Sequence, residues 1–112
     1  PTEQDVADAA KLLLSEGVGT VAVSLGEKGA VFAQGEETLF AKGLSVAVGS
    51  TVGAGDAMVA ALAYAKSTHM PLQDAARLAV AAGSASVMQP GTMVAERELV
   101  YSLAEKVQII TM

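Results

Sequence analysis

Between Gly49 and Ser67 the chain reads GSTVGAGDAMVAALAYAKS, and its character changes in the middle. Gly49, Gly53 and Gly55 bracket a turn of small residues, and Asp56 follows directly. Beyond the acid, Met58, Leu62 and Ala65 recur along one helical face, with Val59 adjoining. The loop is therefore the junction between two kinds of chain.

Upstream the apolar residues run in short stretches. GTVAVSLG, Gly19 to Gly26, is rich in Val and Leu and too short for a helix, so it is expected to be a strand buried on both faces. Glu27, Lys28 and Gly29 form a tight turn into AVFAQ, the expected hairpin partner. Gly35 turns the chain again into TLFAKGLSVAV, read as one or two further short strands. Ahead of these, PTEQDVADAAKLLLSEG is an amphipathic helix with Val6, Ala9, Ala10, Leu13 and Leu14 inward. Thr2 and Asp5 form its capping box, and Gly17 is its stop.

Downstream of the loop, Pro71 fits the first position of the helix PLQDAARLAVAAGSASVM. QPGT breaks it, and AERELVYSLAEKV is a last amphipathic helix using Leu99, Val100, Leu103 and Val107. Helix, strands and then helices in one short chain indicate an α/β layered fold.

The composition narrows the function classes. In 112 residues, 52% are hydrophobic and 17% charged, which is a globular and not a disordered balance. The chain begins at Pro1 without an initiator Met, and it is read as a fragment or processed chain of at most one domain. No apolar run reaches membrane-spanning length, the first residues are not a secretory signal, and there is no Cys, so the expected setting is cytoplasmic. The net charge of −5 and the seven scattered Lys and Arg argue against nucleic acid. They leave a nucleotide open, since backbone amides, helix N-termini and Mg²⁺ hold phosphates on acidic proteins.

The spacing of the glycine-rich loop matches neither of two common phosphate-loop patterns. No Lys follows Gly53 or Gly55, so the Walker pattern fails. Met58 stands where the dinucleotide fingerprint needs Gly or Ala, so that pattern fails too. Two readings survive. The amides of Gly53, Ala54 and Gly55 converge at a helix start and could form an anion hole, with Asp56 as the base beside it. Alternatively, Asp56 only complements the helix dipole, an effect worth roughly 0.3–1 kcal/mol.

The other notable residues have plain roles as well. Ser24, Gly26 and Gly29 suit any hairpin turn, and Lys28 suits a solvated one. The small residues of AAGSAS suit close helix packing or a flat purine equally. Met58, Met88 and Met93 read as core filler, His69 as a surface loop residue, and Tyr64 and Tyr101 as core residues with a wet hydroxyl.

STVGAGDAMVAALAYA, with VSLGEKGA upstream and AAGSASVMQPGT downstream, resembles the C-terminal signature of the PfkB family of carbohydrate kinases. The STVGAGD form and the QPGT ending are most similar to the subgroup of 1-phosphofructokinase, tagatose-6-phosphate kinase and the minor 6-phosphofructokinase. The resemblance implies a ribokinase-like three-layer α/β/α fold, of which residues 1–112 would be the C-terminal nucleotide-binding segment, without the sugar-binding half and lid. It implies phosphoryl transfer from MgATP to a hydroxyl of a ketohexose phosphate. The other open reading is a non-catalytic nucleotide-binding or structural module, inactive as an isolated fragment.

Residue by residue, the resemblance gives Asp56 the part of catalytic base, with Gly53, Ala54 and Gly55 as the anion hole. It gives Ser24, Leu25, Gly26, Glu27, Lys28 and Gly29 to the nucleotide turn, and Val48, Val80 and Ser84 to the border of adenine and ribose. A potassium-type site made mostly of carbonyls falls at Ser50, Val52, Ser86, Gln89, Gly91 and Met93. Ser86, Gln89 and Met93 depart from the residue types of the relative compared, a change that backbone ligands tolerate. The implied partners are ATP, a sugar phosphate, the missing N-terminal half and, for the full-length protein, a second copy in a homodimer.

Overall fold

The computed structural model describes residues 2–44, 54–88 and 97–112. The first helix, α1 (Glu3–Ser15), starts on the expected capping box. The Asp5 N–H donates to Thr2 Oγ1 at 3.1 Å, and the Thr2 N–H donates to Asp5 Oδ2 at 3.0 Å. Gly17, at φ 101°, takes the chain out of the helix. The buried face is Val6, Ala7 and Ala10, not the expected Ala9 and Leu13, which are exposed. Small residues face inward because the helix lies close on the sheet.

Strands β1 (Thr20–Ser24), β2 (Gly29–Gln34) and β3 (Glu37–Lys42) form an antiparallel meander, and β4 (Ile109–Thr111) adds to its far edge in the order β1-β2-β3-β4. Val23 pairs with Val31, Val31 with Phe40, and Phe40 with Ile110. Gly35, at φ 60°, makes the tight β2–β3 turn. β4 follows the last helix and was not expected from the sequence.

Three helices occupy the other face: α2 (Ala54–Ser67), α3 (Leu72–Val87) and α4 (Arg97–Ala104). Pro71 stands just before α3, with φ −57°, one position ahead of where the pattern put it. α3 lies over β2 and β3 and is flanked by α2 and α4. On the α3 side the core is built from Ala30, Phe32, Leu39, Ala41, Leu72 and Ala76; on the α1 side, Val31 and Phe40 meet Val6 and Ala7.

This is an α/β chain with helices on both faces of an antiparallel sheet, but not a full three-layer sandwich. The strands buried on both faces are β2 and β3, not β1 as the sequence suggested. In β1 only the α1 side is covered, because α3 stops short of it. Val59, Tyr64 and Tyr101, expected to face the core, are 66%, 47% and 41% exposed, and Val107 is buried beyond the end of α4, not within it.

Candidate functional site

Helix α2 begins at Ala54, immediately after the glycine-rich loop, and Asp56 stands exposed in its first turn. Gly55 has open space where a side chain would point, so its backbone is approachable from outside. The unpaired N–H groups and aligned dipoles of a helix start make this end locally positive. An acid there is stabilised, and an external anion is attracted to the same place. Gly53, together with Val48, Ser50, Val52, Gln89, Gly91 and Met93, lies outside the described residues.

α3 meets α2 at this end. A Cβ on Gly83 would stand 3.5 Å from the Ala54 carbonyl oxygen and 4.0 Å from Met58 Cε. The small-residue run AAGSAS therefore does serve helix packing, and it brings Ser84 near the start of α2. Ser84 is half-buried, whereas Val80 is buried in the main core. Ser86, also buried, sits in the last turn of α3, where the Met88 N–H reaches back to the carbonyls of Ser84 and Ser86. Last-turn carbonyls carry the negative end of the dipole, which is the donor type that a monovalent cation takes.

The second group of candidates is a turn with unusual backbone demands. Between Ser24 and Gly29 the chain makes a 3₁₀ turn over Gly26–Lys28, with Gly26 at φ 64° and Gly29 at φ 124°. The Leu25 N–H closes it on the Gly29 carbonyl at 2.8 Å. Ser24, Glu27 and Lys28 are exposed, while Leu25 turns toward the α1 side beside Val6 and Phe40.

This turn is pinned by a residue to which the sequence gave no role. The Gly43 N–H donates to the Lys28 carbonyl at 2.8 Å, and a Cβ on Gly43 would overlap the Glu27 carbonyl oxygen. A Cβ on Gly29 would come within 2.7 Å of the Gly43 nitrogen. Gly43 directly follows β3, so it ties the 3₁₀ turn to the end of that strand. A glycine ending an apolar strand run was the only signal, and ordinary turns carry the same one.

Asp5 is held below the ordinary carboxylate range, first by its bond from the Thr2 backbone N–H and then by the Thr2 hydroxyl. Among the described residues no three His, Cys, Asp or Glu gather as a metal cluster, and no helix is long and apolar enough to cross a membrane. His69 is exposed in the α2–α3 loop.

The sequence model for pfkB family carbohydrate kinases matches residues 1–98. The chain belongs to the pfkB family of carbohydrate kinases. It is 39% identical over 109 residues to a 1-phosphofructokinase of Rhodobacter capsulatus, a match covering 97% of this chain and 34% of that protein. It is 34% identical over 109 residues to the 1-phosphofructokinase of Escherichia coli K12, covering 97% of this chain and 35% of the enzyme. The phosphofructokinase-2 of Escherichia coli, solved in complex with potassium, superposes with a TM-score of 0.88 at 32% identity, over 95% of this chain and 35% of that one. A ribokinase of Thermotoga maritima does so at 0.78 and 30%, over 89% and 34%. This pfkB-family chain thus spans about a third of the length of the kinases it matches.

Proposed function

We propose that these 112 residues are the C-terminal, nucleotide-binding part of an ATP-dependent sugar-phosphate kinase of the 1-phosphofructokinase kind. The observation that carries this reading is the start of α2, where an exposed Asp56 follows an open Gly55 at a helix N-terminus in a pfkB-family chain. In the complete protein the fold would be the ribokinase-like three-layer sandwich, with the sugar-binding half and lid outside this chain.

ATP with Mg²⁺ would supply the phosphoryl group. The chain's own residues would then do four things. The amides of Gly53, Ala54 and Gly55 attract and orient phosphate oxygens without needing a cationic side chain, which suits a protein of net charge −5. Asp56 orients the attacking hydroxyl of a ketohexose phosphate and takes its proton late in the transfer. The Ser24–Gly29 turn and Ser84, with Val48 and Val80 beside them, would border the ribose and base. Ser86, with Ser50, Val52, Gln89, Gly91 and Met93, would offer carbonyls to a potassium-type ion.

The chain's span favours a second reading for the isolated molecule. A polypeptide covering 34% of its relative can fold and bind a nucleotide yet lack turnover.

The test is a chimera in which this chain replaces the matched third of the Rhodobacter capsulatus enzyme. It is assayed with MgATP against fructose 1-phosphate, fructose 6-phosphate and tagatose 6-phosphate. Asp56→Asn should keep ATP affinity and lose roughly three or more orders of magnitude in kcat, the scale expected when a base and its orienting role are both removed. Near-normal turnover by that variant would sink the base assignment.

A further inference from the structure

Arg77, on α3, makes a bond that leaves its own helix. Its Nε donates to the Val107 carbonyl, 30 residues further along the chain, at 3.4 Å. Its Nη1 also lies 3.6 Å from Asp74 Oδ1, but that pair is 38% and 57% exposed and contributes little. The bond to Val107 is of a stronger type, a charged donor on the carbonyl of a buried residue.

That carbonyl begins a run of backbone bonds. Gln108 follows Val107, and its carbonyl accepts the Lys42 N–H at 2.9 Å. Gly43 follows Lys42, and its N–H donates to the Lys28 carbonyl at 2.8 Å. Each bond stands one residue along from the last, and together they lead from α3 to the Gly26–Lys28 turn.

Both ends of this run are walls of the proposed nucleotide site. Positions 77, 80 and 84 are spaced i, i+3 and i+7, so the face of α3 that Arg77 anchors also carries Val80 and Ser84. The other end is the Ser24–Gly29 turn. Between the two walls the contact is apolar, with Ala76, Ala79 and Val80 in one cluster with Ala30 and Ala41. Apolar burial is non-directional, and side chains this small interlock little, so they hold α3 on the sheet without fixing where it slides. Hydrogen bonds have the directionality that the apolar contact lacks.

We propose that Arg77 is a positioning residue for the nucleotide. Through Val107, Gln108 and Gly43 it sets the spacing between the Val80–Ser84 face and the Ser24–Gly29 turn. It touches no reacting atom. This role rests on the reading of both walls as nucleotide-binding.

The test uses the Rhodobacter capsulatus chimera. Arg77→Met, at this half-exposed position, keeps the apolar stem and removes the donor. It should raise the KM for ATP about 3–10-fold, the scale of one hydrogen bond, and leave kcat and the KM for the sugar phosphate within about twofold. Arg77→Lys, which restores a cationic donor without the planar fork, should give a KM between those of Arg77→Met and the parent. Gly35→Ala strains the turn at the far end of β2, at φ 60°, and should lower Tm without moving the KM for ATP. An unchanged KM for ATP in Arg77→Met, or an equal rise in Gly35→Ala, overturns the role of Arg77 and leaves the proposed function standing. A parent chimera that binds ATP without turnover counts against the proposed catalysis, and the spacing is then read from the Kd for ATP, with the same order among the variants expected. A parent that binds no ATP overturns both.

Discussion

The backbone N–H of Gly43 donates to the Lys28 carbonyl oxygen at 2.8 Å, fastening the end of β3 to the Gly26–Lys28 turn. A methyl group at Gly43 has nowhere to go, since the Glu27 carbonyl occupies its place. Gly43→Ala should therefore push the turn outward at a cost of about 1–3 kcal/mol, measured by urea unfolding of the isolated chain. In the chimera, the KM for ATP should rise more than kcat falls, because the turn would hold nucleotide and not the reacting hydroxyl. An unchanged unfolding midpoint would show that the contact relaxes freely.

Gly55 separates stability from function. Nothing stands within 4 Å of a Cβ built there, and the residue is helical. Gly55→Ala should stabilise the isolated chain by up to about 0.5–1 kcal/mol. The same methyl would crowd the backbone that phosphate oxygens are proposed to approach, so turnover of the chimera should drop. A variant both more stable and fully active would leave the anion hole without support at this residue.

Gly83 should respond to size in steps. Alanine there makes ordinary contact with the Ala54 carbonyl, at 3.5 Å, and should be tolerated. Gly83→Leu has to displace the start of α2 and should cost about 1–3 kcal/mol. Circular dichroism melts of the two variants would show the difference.

The capping box sets an acid limit on α1. Asp5 is held below its ordinary value by the Thr2 backbone N–H and then by the Thr2 hydroxyl. A depressed carboxylate contributes stability that is present above its unfolded pKa of about 3.9 and disappears as pH falls through the lower folded value. Asp5→Asn should therefore lower Tm at neutral pH, and the difference from the parent should close as pH falls below the ordinary carboxylate range. A difference independent of pH would mean that the carboxylate's charge plays no part.

Much of this architecture was legible because local signals agreed with the fold. Thr2 with Asp5, Gly17, Gly35 and the Glu27–Gly29 turn all mark element ends by backbone chemistry that acts within a few residues. What failed depended on distant partners. Ile109–Thr111 is too short to declare itself, and it is a strand only because β3 offers it an edge. β1 and α2 have the composition of buried elements, so the sequence placed Val59 inside, while the chain by itself gives that side chain nothing to pack on. The site divides the same way. The helix start and its acid could be read from spacing, whereas Gly43 acquires meaning only through the Lys28 carbonyl across the turn.

The meander also sets an order of assembly. β1 pairs with β2 and β2 with β3 through turns that close over a few residues, so this part of the sheet can form on the timescale of a hairpin. The pairing of Leu39 with Thr111 closes a much longer loop and gains nothing until α2, α3 and α4 are in place. β4 should therefore zip last, and its amides should be the first of the sheet to exchange with solvent when the molecule breathes.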